Sequence, residues 1–276
     1  MEIGSLQLIA LLITGVGVGF ASGLLGVGGC FIMVPVQFWA LTSIGIDSTI
    51  ALRIAFGTNL AVVLPTAISG AIGHHRKKAV LWKAGIVLGL SGLVGAFLGG
   101  IFAAHLPGNL LKIGFGLAIL AGAIRMLTAK PPKIEKDLVE NNLVYILWGF
   151  PLGILSGIIG IGGGVLMIPV MVLALRFKMH QAVGTSTALM IFAAIGGTLS
   201  YVFNGLAVSG LPPYSVGYVN LWQWILLAGT SVPMAQVGAR AAHKLPAKQL
   251  KNLFIAVMIY MGLKMTGVFA WLHLPL

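Results

Sequence analysis

The chain has 276 residues, of which 58% are hydrophobic and 8% are charged, and its mean hydropathy is +1.04. A water-soluble protein of this size needs far more polar surface, so the composition excludes a soluble globular domain and predicts a membrane protein. The formal net charge is +12. No aromatic-basic motif of a nucleic-acid-binding module accompanies this charge, so we expect no nucleic-acid partner.

The first apolar segment, from about Ile3 to Ser22, lacks the basic start and cleavage site of a secretory signal, so we expect it to be retained. A glycine-dense run to Cys30 and a second apolar piece follow. Two interpretations are open: two full crossings, or a hairpin that turns back at mid-depth. We favour a hairpin over about 3–46, because a tip in the cytoplasm would carry Lys or Arg. Irregular backbone at mid-depth requires surrounding protein or a water-filled cavity.

The remaining segments are predicted from apolar runs and from the polar residues between them. Segment 129–142 is a polar linker, because residues 130–142 contain two prolines, three lysines and three acids. Apolar helices are predicted at about 52–73, 81–104 and 109–128 before the linker, and at about 182–204, 221–242 and 250–271 after a second hairpin at about 143–175.

The glycine run occurs twice. Residues 156–170 repeat residues 22–36, with eight of 15 aligned positions identical and six more exchanging one apolar side chain for another. This self-similarity indicates an internal duplication. We assign the first repeat to 1–128 and the second to 143–276.

Basic residues concentrate on one predicted side of the membrane. If the loop His74–Lys83 is cytoplasmic, alternation also places the linker, 176–178 and 240–251 inside, and 14 of the 17 basic residues then lie inside. The exceptions are Arg53, Lys112 and Lys264. This bias predicts cytoplasmic basic loops and both termini outside. Each half has one hairpin and three crossings, so we predict an all-α polytopic membrane protein made of two inverted-topology repeats.

The helix that resumes after each glycine run begins with backbone N–H groups that have no partner inside the helix. They belong to about Gly29, Cys30 and Phe31 in the first copy, and to Gly163, Gly164 and Val165 in the second. Such donors and the helix dipole bind an anion without a charged side chain. Paired broken helices in inverted halves are typical of a transporter's substrate site. Close packing through small residues, as at Gly95 and Gly99, is the alternative.

Polar side chains recur in the helix after each hairpin. Thr58 and Asn59 in the first half correspond to Thr185 and Ser186 in the second. These groups could complete the anion's shell or bond back to their own helix, and both interpretations stay open. Arg53 could draw anions into an external vestibule or extend to lipid head groups, and Lys112 and Lys264 are interpreted in the same way.

Acid–base chemistry lacks residues at mid-depth. All five acids and all six histidines map to termini, loops or helix ends, so no proton relay or hydrolytic pair is apparent. The one cysteine, Cys30, excludes an intrachain disulfide and a thiolate cluster. We expect it to act as a small hydrophobe, with a role at the site left open. We therefore expect no metal, no cofactor and no enzymatic activity.

The duplicated Gly-x-x-Gly-x-Gly-Gly-Gly followed by Pro, with a downstream Gly-Thr-Ser, resembles the sulfite exporter TauE/SafE family of membrane permeases over essentially the whole chain. The resemblance implies transport of sulfite, a sulfonate, sulfoacetate or a similar small anion across a prokaryotic inner membrane. It implies substrate contacts at Gly28, Gly29, Gly162, Gly163, Gly164, Thr58, Thr185 and Ser186. Cys30 in place of glycine and Asn59 in place of serine depart from the family's pattern.

We therefore predict a multi-pass inner-membrane transporter that binds a small anion between two hairpin tips, with Cys30 and Asn59 included in the site. An anion channel is the closer alternative. An integral-membrane enzyme is the more remote one, because no catalytic constellation falls at mid-depth. The coupling ion, the direction of transport and the oligomeric state stay open.

Overall fold

The computed structural model describes residues 4–128, 138–242 and 247–271 and is mainly helical. Most of the predicted linker 129–142 lies outside these residues. The helices are α1 Ser5–Leu25, α2 Cys30–Ser43, α3 Ser48–His75, α4 Trp82–His105, α5 Gly108–Thr128, α6 Asn142–Ile159, α7 Gly164–Leu173, α8 Met179–Gly205, α9 Leu221–Ala241, α10 Ala247–Thr266 and α11 Val268–Trp271.

Six helices in the described residues are long and apolar enough to cross a membrane. They are α1, α3, α4, α6, residues 108–125 of α5 and residues 180–205 of α8. This agrees with the prediction of a helical, multi-pass membrane protein. Helices α9 and α10, which we expected to cross, do not meet the same criterion within the described residues.

Two local features differ from the predicted pattern. Two-residue strands, β1 Ser215–Val216 and β2 Val219–Asn220, pair antiparallel between α8 and α9. The all-α prediction missed them because strands this short have no periodicity to detect. The predicted helix 250–271 is also divided, because α10 ends at Thr266 and Gly267 takes a φ of 80°.

Both glycine runs interrupt the helix in the same manner. Gly26 and Gly160 follow α1 and α6 with φ values of 66° and 63°. Gly29 and Gly163 precede α2 and α7 with φ values of 66° and 92°. A residue without Cβ takes this left-handed conformation at little cost, so each run ends one helix and begins the next.

The first arm of each broken helix packs along a helix of the other half through small residues. α1 lies along α9, where a Cβ at Gly19 would meet the backbone of Ser231. α6 lies along α4, where a Cβ at Gly153 would meet the backbone of Gly92. Small residues allow such close approach of helices in membranes. The two halves are therefore interlocked.

Helices α3 and α8 form the centre of the fold and contact each other along their length. In their apolar windows 78% and 72% of residues are buried, against 50% or less in the other four candidate spans. Helices α5 and α10 pack mainly on each other at the side of this centre. Side chains of α3 and α8 are consequently the ones that reach both glycine runs.

Candidate functional site

The two glycine runs meet near the middle of α3 and α8. A Cβ at Gly28 would lie 3.3 Å from Sδ of Met190 and 3.5 Å from the carbonyl oxygen of Ile161. A Cβ at Gly162 would lie 3.1 Å from a methyl carbon of Val63. Val63 and Met190 lie close to the centres of their helices. The runs therefore approach each other in the interior of the protein.

The first residues of α2 and α7 are Cys30 and Gly164, and only Cys30 has a side chain where the two glycine runs meet. A Cβ at Gly164 would lie 2.5 Å from the carbonyl oxygen of Gly26 and 2.9 Å from Cα of Val27, so a larger residue would displace the opposite run. Cys30, at the corresponding position of α2, is fully buried, and its sulfur faces the backbone N–H groups of Cys30 and Phe31. The Cys30 sulfur therefore lies against backbone N–H groups at the start of α2. Gly164 has no side chain to cover the corresponding N–H groups at the start of α7.

The start of α7 contains buried N–H donors that have no acceptor in the part of the chain that the structure describes. The N–H groups of Gly162, Gly163 and Gly164 donate to no acceptor within 4–128, 138–242 and 247–271, and all three residues are buried. The fully buried Ser156 hydroxyl also has no partner there, and it lies 3.7 Å from the position of a Cβ on Gly163. An unsatisfied buried donor costs about 1–3 kcal/mol, so this cluster is suited to an acceptor from outside the chain.

Asn59 and Ser186 donate hydrogen bonds to carbonyl oxygens of the glycine runs. Oγ of Ser186 donates to the carbonyl oxygen of Gly26 at 2.6 Å, and Nδ2 of Asn59 donates to the carbonyl oxygen of Gly160. Both side chains are fully buried. Oδ1 of Asn59 has no partner among the described residues. Each side chain therefore binds the glycine run of the opposite half.

Thr58 and Thr185 act as acceptors at the starts of two other helices. The Asn220 N–H donates to Oγ1 of Thr58 at 2.9 Å, and the Leu81 N–H donates to Oγ1 of Thr185 at 3.0 Å. Asn220 and Leu81 immediately precede α9 and α4, whose first N–H groups need such partners. The two hydroxyl oxygens are thus engaged at helix starts of the opposite half, and not at the glycine runs.

Arg53 is half-buried and bound inside the protein. Nη1 donates to Oη of Tyr218 at 3.2 Å and Nη2 donates to the Leu106 carbonyl oxygen at 3.0 Å. The Tyr218 ring packs edge-on against Tyr201, whose hydroxyl donates to the Gly157 carbonyl oxygen at 3.1 Å. Two phenols therefore connect the guanidinium to the second broken helix, while its Nε has no partner within the described ranges.

His74 and Tyr201 also bind the broken helices, and sequence analysis did not single them out. Nε2 of His74 lies 2.8 Å from the carbonyl oxygen of Gly23, which corresponds to Gly157 in the second copy. Both side chains are buried. His74 falls at the end of a helix beside a basic loop, so no local pattern separated it from the loop residues.

Gln37 is a third buried polar residue that sequence analysis did not single out. It is fully buried in α2, and neither amide atom has a partner in the described part of the chain. It lies seven residues after Cys30, on the same face of α2. A lone amide inside the apolar piece that follows the glycine run was the signal that could have found it.

Comparison with known proteins places the chain in a family. The family model for sulfite exporter TauE/SafE matches residues 11–265. A probable membrane transporter protein of Methanocaldococcus jannaschii is 31% identical over 94% of this chain and 96% of its own. Those of Haemophilus influenzae and of Bacillus subtilis (YunE) are 28% and 25% identical, over 94% and 96% of this chain and 97% and 100% of theirs. No solved structure matches. The chain is a membrane transporter and belongs to the sulfite exporter TauE/SafE family.

Proposed function

We propose that the protein carries a small anion, such as sulfite, a sulfonate or sulfoacetate, across a prokaryotic inner membrane. The observation that carries the proposal is the set of buried N–H groups at Gly162, Gly163 and Gly164, which have no acceptor among the described residues. The positive end of the α7 dipole adds to them. The name of the family supports a sulfur oxyanion, whose oxygens accept several hydrogen bonds at once.

The number of donors suits a small anion. Hydrogen bonds to an ionised acceptor contribute about 1.5–3 kcal/mol each, so three of them contribute roughly 4.5–9 kcal/mol towards the cost of removing a small anion from water. The Ser156 hydroxyl, beside Gly163, supplies a further donor. A transporter needs moderate affinity because the substrate must also leave. Neutral donors meet that requirement better than a buried guanidinium does.

The two glycine runs have unequal roles in this proposal. We assign the anion mainly to the second run, because the Cys30 sulfur faces the N–H groups of Cys30 and Phe31, whereas Gly164 has no side chain at the same position. The N–H groups of Gly28 and Gly29 also donate to no acceptor among the described residues, so they can add to the site. The first run, with Gly28 and Gly29, closes against it through the contact of Gly26 with Gly164. Release of the anion then requires the two runs to separate.

The polar side chains of α3 and α8 position the site. Ser186 and Asn59 bind the carbonyl groups of the glycine runs and so leave the N–H groups facing the anion. Thr58 and Thr185 fix α9 and α4, against which the first arms pack. Arg53 holds Tyr218 beside Tyr201, and we assign it a positioning role as well.

We also propose that both broken helices are re-entrant hairpins and that the two halves are inverted copies. Corresponding residues make corresponding contacts, which a pseudo-two-fold axis would produce. The pairs are Ser186–Gly26 with Asn59–Gly160, Thr185–Leu81 with Thr58–Asn220, and His74–Gly23 with Tyr201–Gly157. In such folds one part rocks against the other around a fixed central site.

Exchange in liposomes tests the proposal. Purified protein is reconstituted in vesicles loaded with unlabelled sulfite, and entry of isotope-labelled sulfite is measured, with taurine and sulfoacetate as competitors. We expect saturable uptake that is accelerated by unlabelled sulfite on the opposite side. Vesicles containing Gly163→Ala protein should lose this exchange, and vesicles containing Gly45→Ala protein should retain it.

Other outcomes identify the alternatives. Anion conductance without acceleration by internal sulfite would indicate a channel. A chemically altered product recovered from the vesicles would indicate an enzyme. No sulfite, sulfonate or small carboxylate exchange by correctly folded protein would overturn the proposal.

A further inference from the structure

A second candidate binding site lies in a cleft of about 310 Å³ between α2, α5 and α10, apart from the glycine runs. Trp39 and Thr42 of α2 form one wall, and Lys112 of α5 with Lys264 and Met265 of α10 form the other. Most of the remaining lining is apolar. Two cationic side chains therefore share a cleft whose walls are otherwise suited to hydrocarbon.

Close packing of α5 on α10 brings the two lysines to the same end of the bundle. A Cβ at Gly116 would lie 2.9 Å from the carbonyl oxygen of Gly262 and 3.0 Å from the backbone nitrogen of Thr266. Lys112 is one turn before Gly116, and Lys264 lies between the two residues of α10. This end is opposite the basic loop that follows α3, because α4 separates that loop from the start of α5.

Neither ammonium group has a carboxylate partner among the described residues. Nζ of Lys112 lies 5.3 Å from the centre of the Phe38 ring, and Nζ of Lys264 lies 5.9 Å from the centre of the Tyr260 ring. Contact with an aromatic ring stabilises the positive charge of an ammonium group less than pairing with an anion does. Two like charges in one cleft favour an anion between them.

The position of the lysines along their helices identifies the type of anion. Lys112 lies four residues after the start of α5, about 6 Å along the axis, and Lys264 lies two residues before the end of α10, about 3 Å. A lysine this close to the start of a candidate membrane-spanning helix, as Lys112 is in α5, reaches the level of lipid head groups. The close packing of α10 on α5 brings Lys264 to the same level. Below them the cleft continues along α2 past Val36 to Pro35.

We propose that this cleft binds one anionic phospholipid, with its phosphate between Lys112 and Lys264 and an acyl chain along α2. A head group and a hydrocarbon chain together match the charged rim and the apolar depth of the cleft. A bare oxyanion matches only the rim. Because α2 is the second arm of the first broken helix, the lipid would hold that arm against α5 and α10.

Lipid binding to the purified protein tests this site. Detergent-solubilised protein is titrated with phosphatidylglycerol or phosphatidylcholine, and retained lipid is counted by native mass spectrometry alongside the melting temperature. We expect one tightly retained phosphatidylglycerol that raises the melting temperature. Lys112→Gln with Lys264→Gln should weaken its binding about tenfold or more, since two charge-assisted contacts are lost.

Matched variants separate the cleft from general effects of charge. Lys83→Gln removes an exposed lysine at the far end of α4 and should leave retention unchanged. Lys112→Arg with Lys264→Arg keeps both charges and should also retain the lipid. This variant tests the role of charge even if the glutamine variant folds poorly. Equal retention of phosphatidylcholine and phosphatidylglycerol, or unchanged retention in the folded glutamine variant, would overturn the proposal.

A soluble amphipathic anion distinguishes the source of the ligand. Octanesulfonate has a similar charge and a short apolar tail, and we expect it to displace phosphatidylglycerol only at high concentration. If octanesulfonate binds through the two lysines while phosphatidylglycerol does not, the cleft takes a soluble organic anion and the assignment to lipid is wrong.

Discussion

The hydroxyl of Ser186 donates a hydrogen bond of 2.6 Å to the carbonyl oxygen of Gly26, so a helix of the second half binds the glycine run of the first. Asn59 makes the corresponding contact with Gly160. Each contact satisfies a buried carbonyl at the end of a broken helix, which would otherwise be costly inside a membrane. The same contacts fix the direction of the peptide groups that follow.

The first prediction concerns Ser186→Ala. We expect a loss of about 1–3 kcal/mol of unfolding free energy, because the buried Gly26 carbonyl would lose its donor. Sulfite exchange should fall as well, because the first glycine run would no longer be fixed against the second. Urea unfolding and vesicle exchange measure the two effects.

Thr187→Val is the matched control for this change. Among the described residues the fully buried Thr187 hydroxyl bonds only to Gly184 of its own helix, and valine preserves its shape. Stability and exchange should stay close to those of the native protein. If Ser186→Ala behaves like this control in both assays, the contact with Gly26 does not position the site.

The second prediction compares two glycines with the same backbone strain. Gly163 has a φ of 92° and Gly45 has a φ of 84°, so alanine at either position costs about 1 kcal/mol or more. Within the described part of the chain, no non-neighbouring atom lies within 4 Å of a Cβ on Gly45, and none lies closer than 3.7 Å to one on Gly163. Steric clash is therefore absent in both variants.

Only Gly163→Ala should lower affinity for sulfite, because only Gly163 lies among the buried donors at the start of α7. Both variants should lose similar stability. Isothermal titration of sulfite, with thermal unfolding on the same samples, separates binding from folding. Equal affinities for the two variants would indicate that the glycines serve only the fold.

A third prediction concerns Gln37→Met. The amide is fully buried without partners among the described residues, and the corresponding residue of the second copy is Met171. Methionine removes the unsatisfied amide at similar volume, so we expect unfolding free energy to rise by about 1–3 kcal/mol. Exchange should slow if the amide contacts water or substrate during transport.

Ile32→Met serves as the comparison, because it changes a half-buried apolar residue of the same helix. It should leave exchange unchanged. A Gln37→Met protein that is less stable than the native protein would mean that the amide has a structural partner in the folded state.

The sequence predicted the helical class and the glycine runs because both depend on local composition. A long apolar segment in a membrane has few alternatives to a helix, and adjacent glycines favour an interruption of that helix. The division into two inverted repeats stays a prediction that the paired contacts support.

The roles of individual side chains were harder to predict because they depend on contacts between distant segments. Thr58 and Asn59 are neighbours in sequence, yet one accepts from Asn220 and the other donates to Gly160. Periodicity cannot assign partners 101 and 162 residues away. Cys30 departs from the pattern in sequence, but only the structure shows that its sulfur faces the backbone N–H groups of Cys30 and Phe31.

The last prediction concerns orientation in the membrane. Lys77 is exposed beside the end of α3, and Ser209 is exposed between α8 and α9, near the opposite end of the bundle. The bias of basic residues predicts that Lys77 faces the cytoplasm and Ser209 the outside. In intact cells an impermeant thiol reagent should therefore label Ser209→Cys and should label Lys77→Cys only after the membrane is opened. The native chain is the control, because its one cysteine, Cys30, is fully buried and should stay unlabelled. Labelling of Lys77→Cys but not Ser209→Cys in intact cells would invert the orientation.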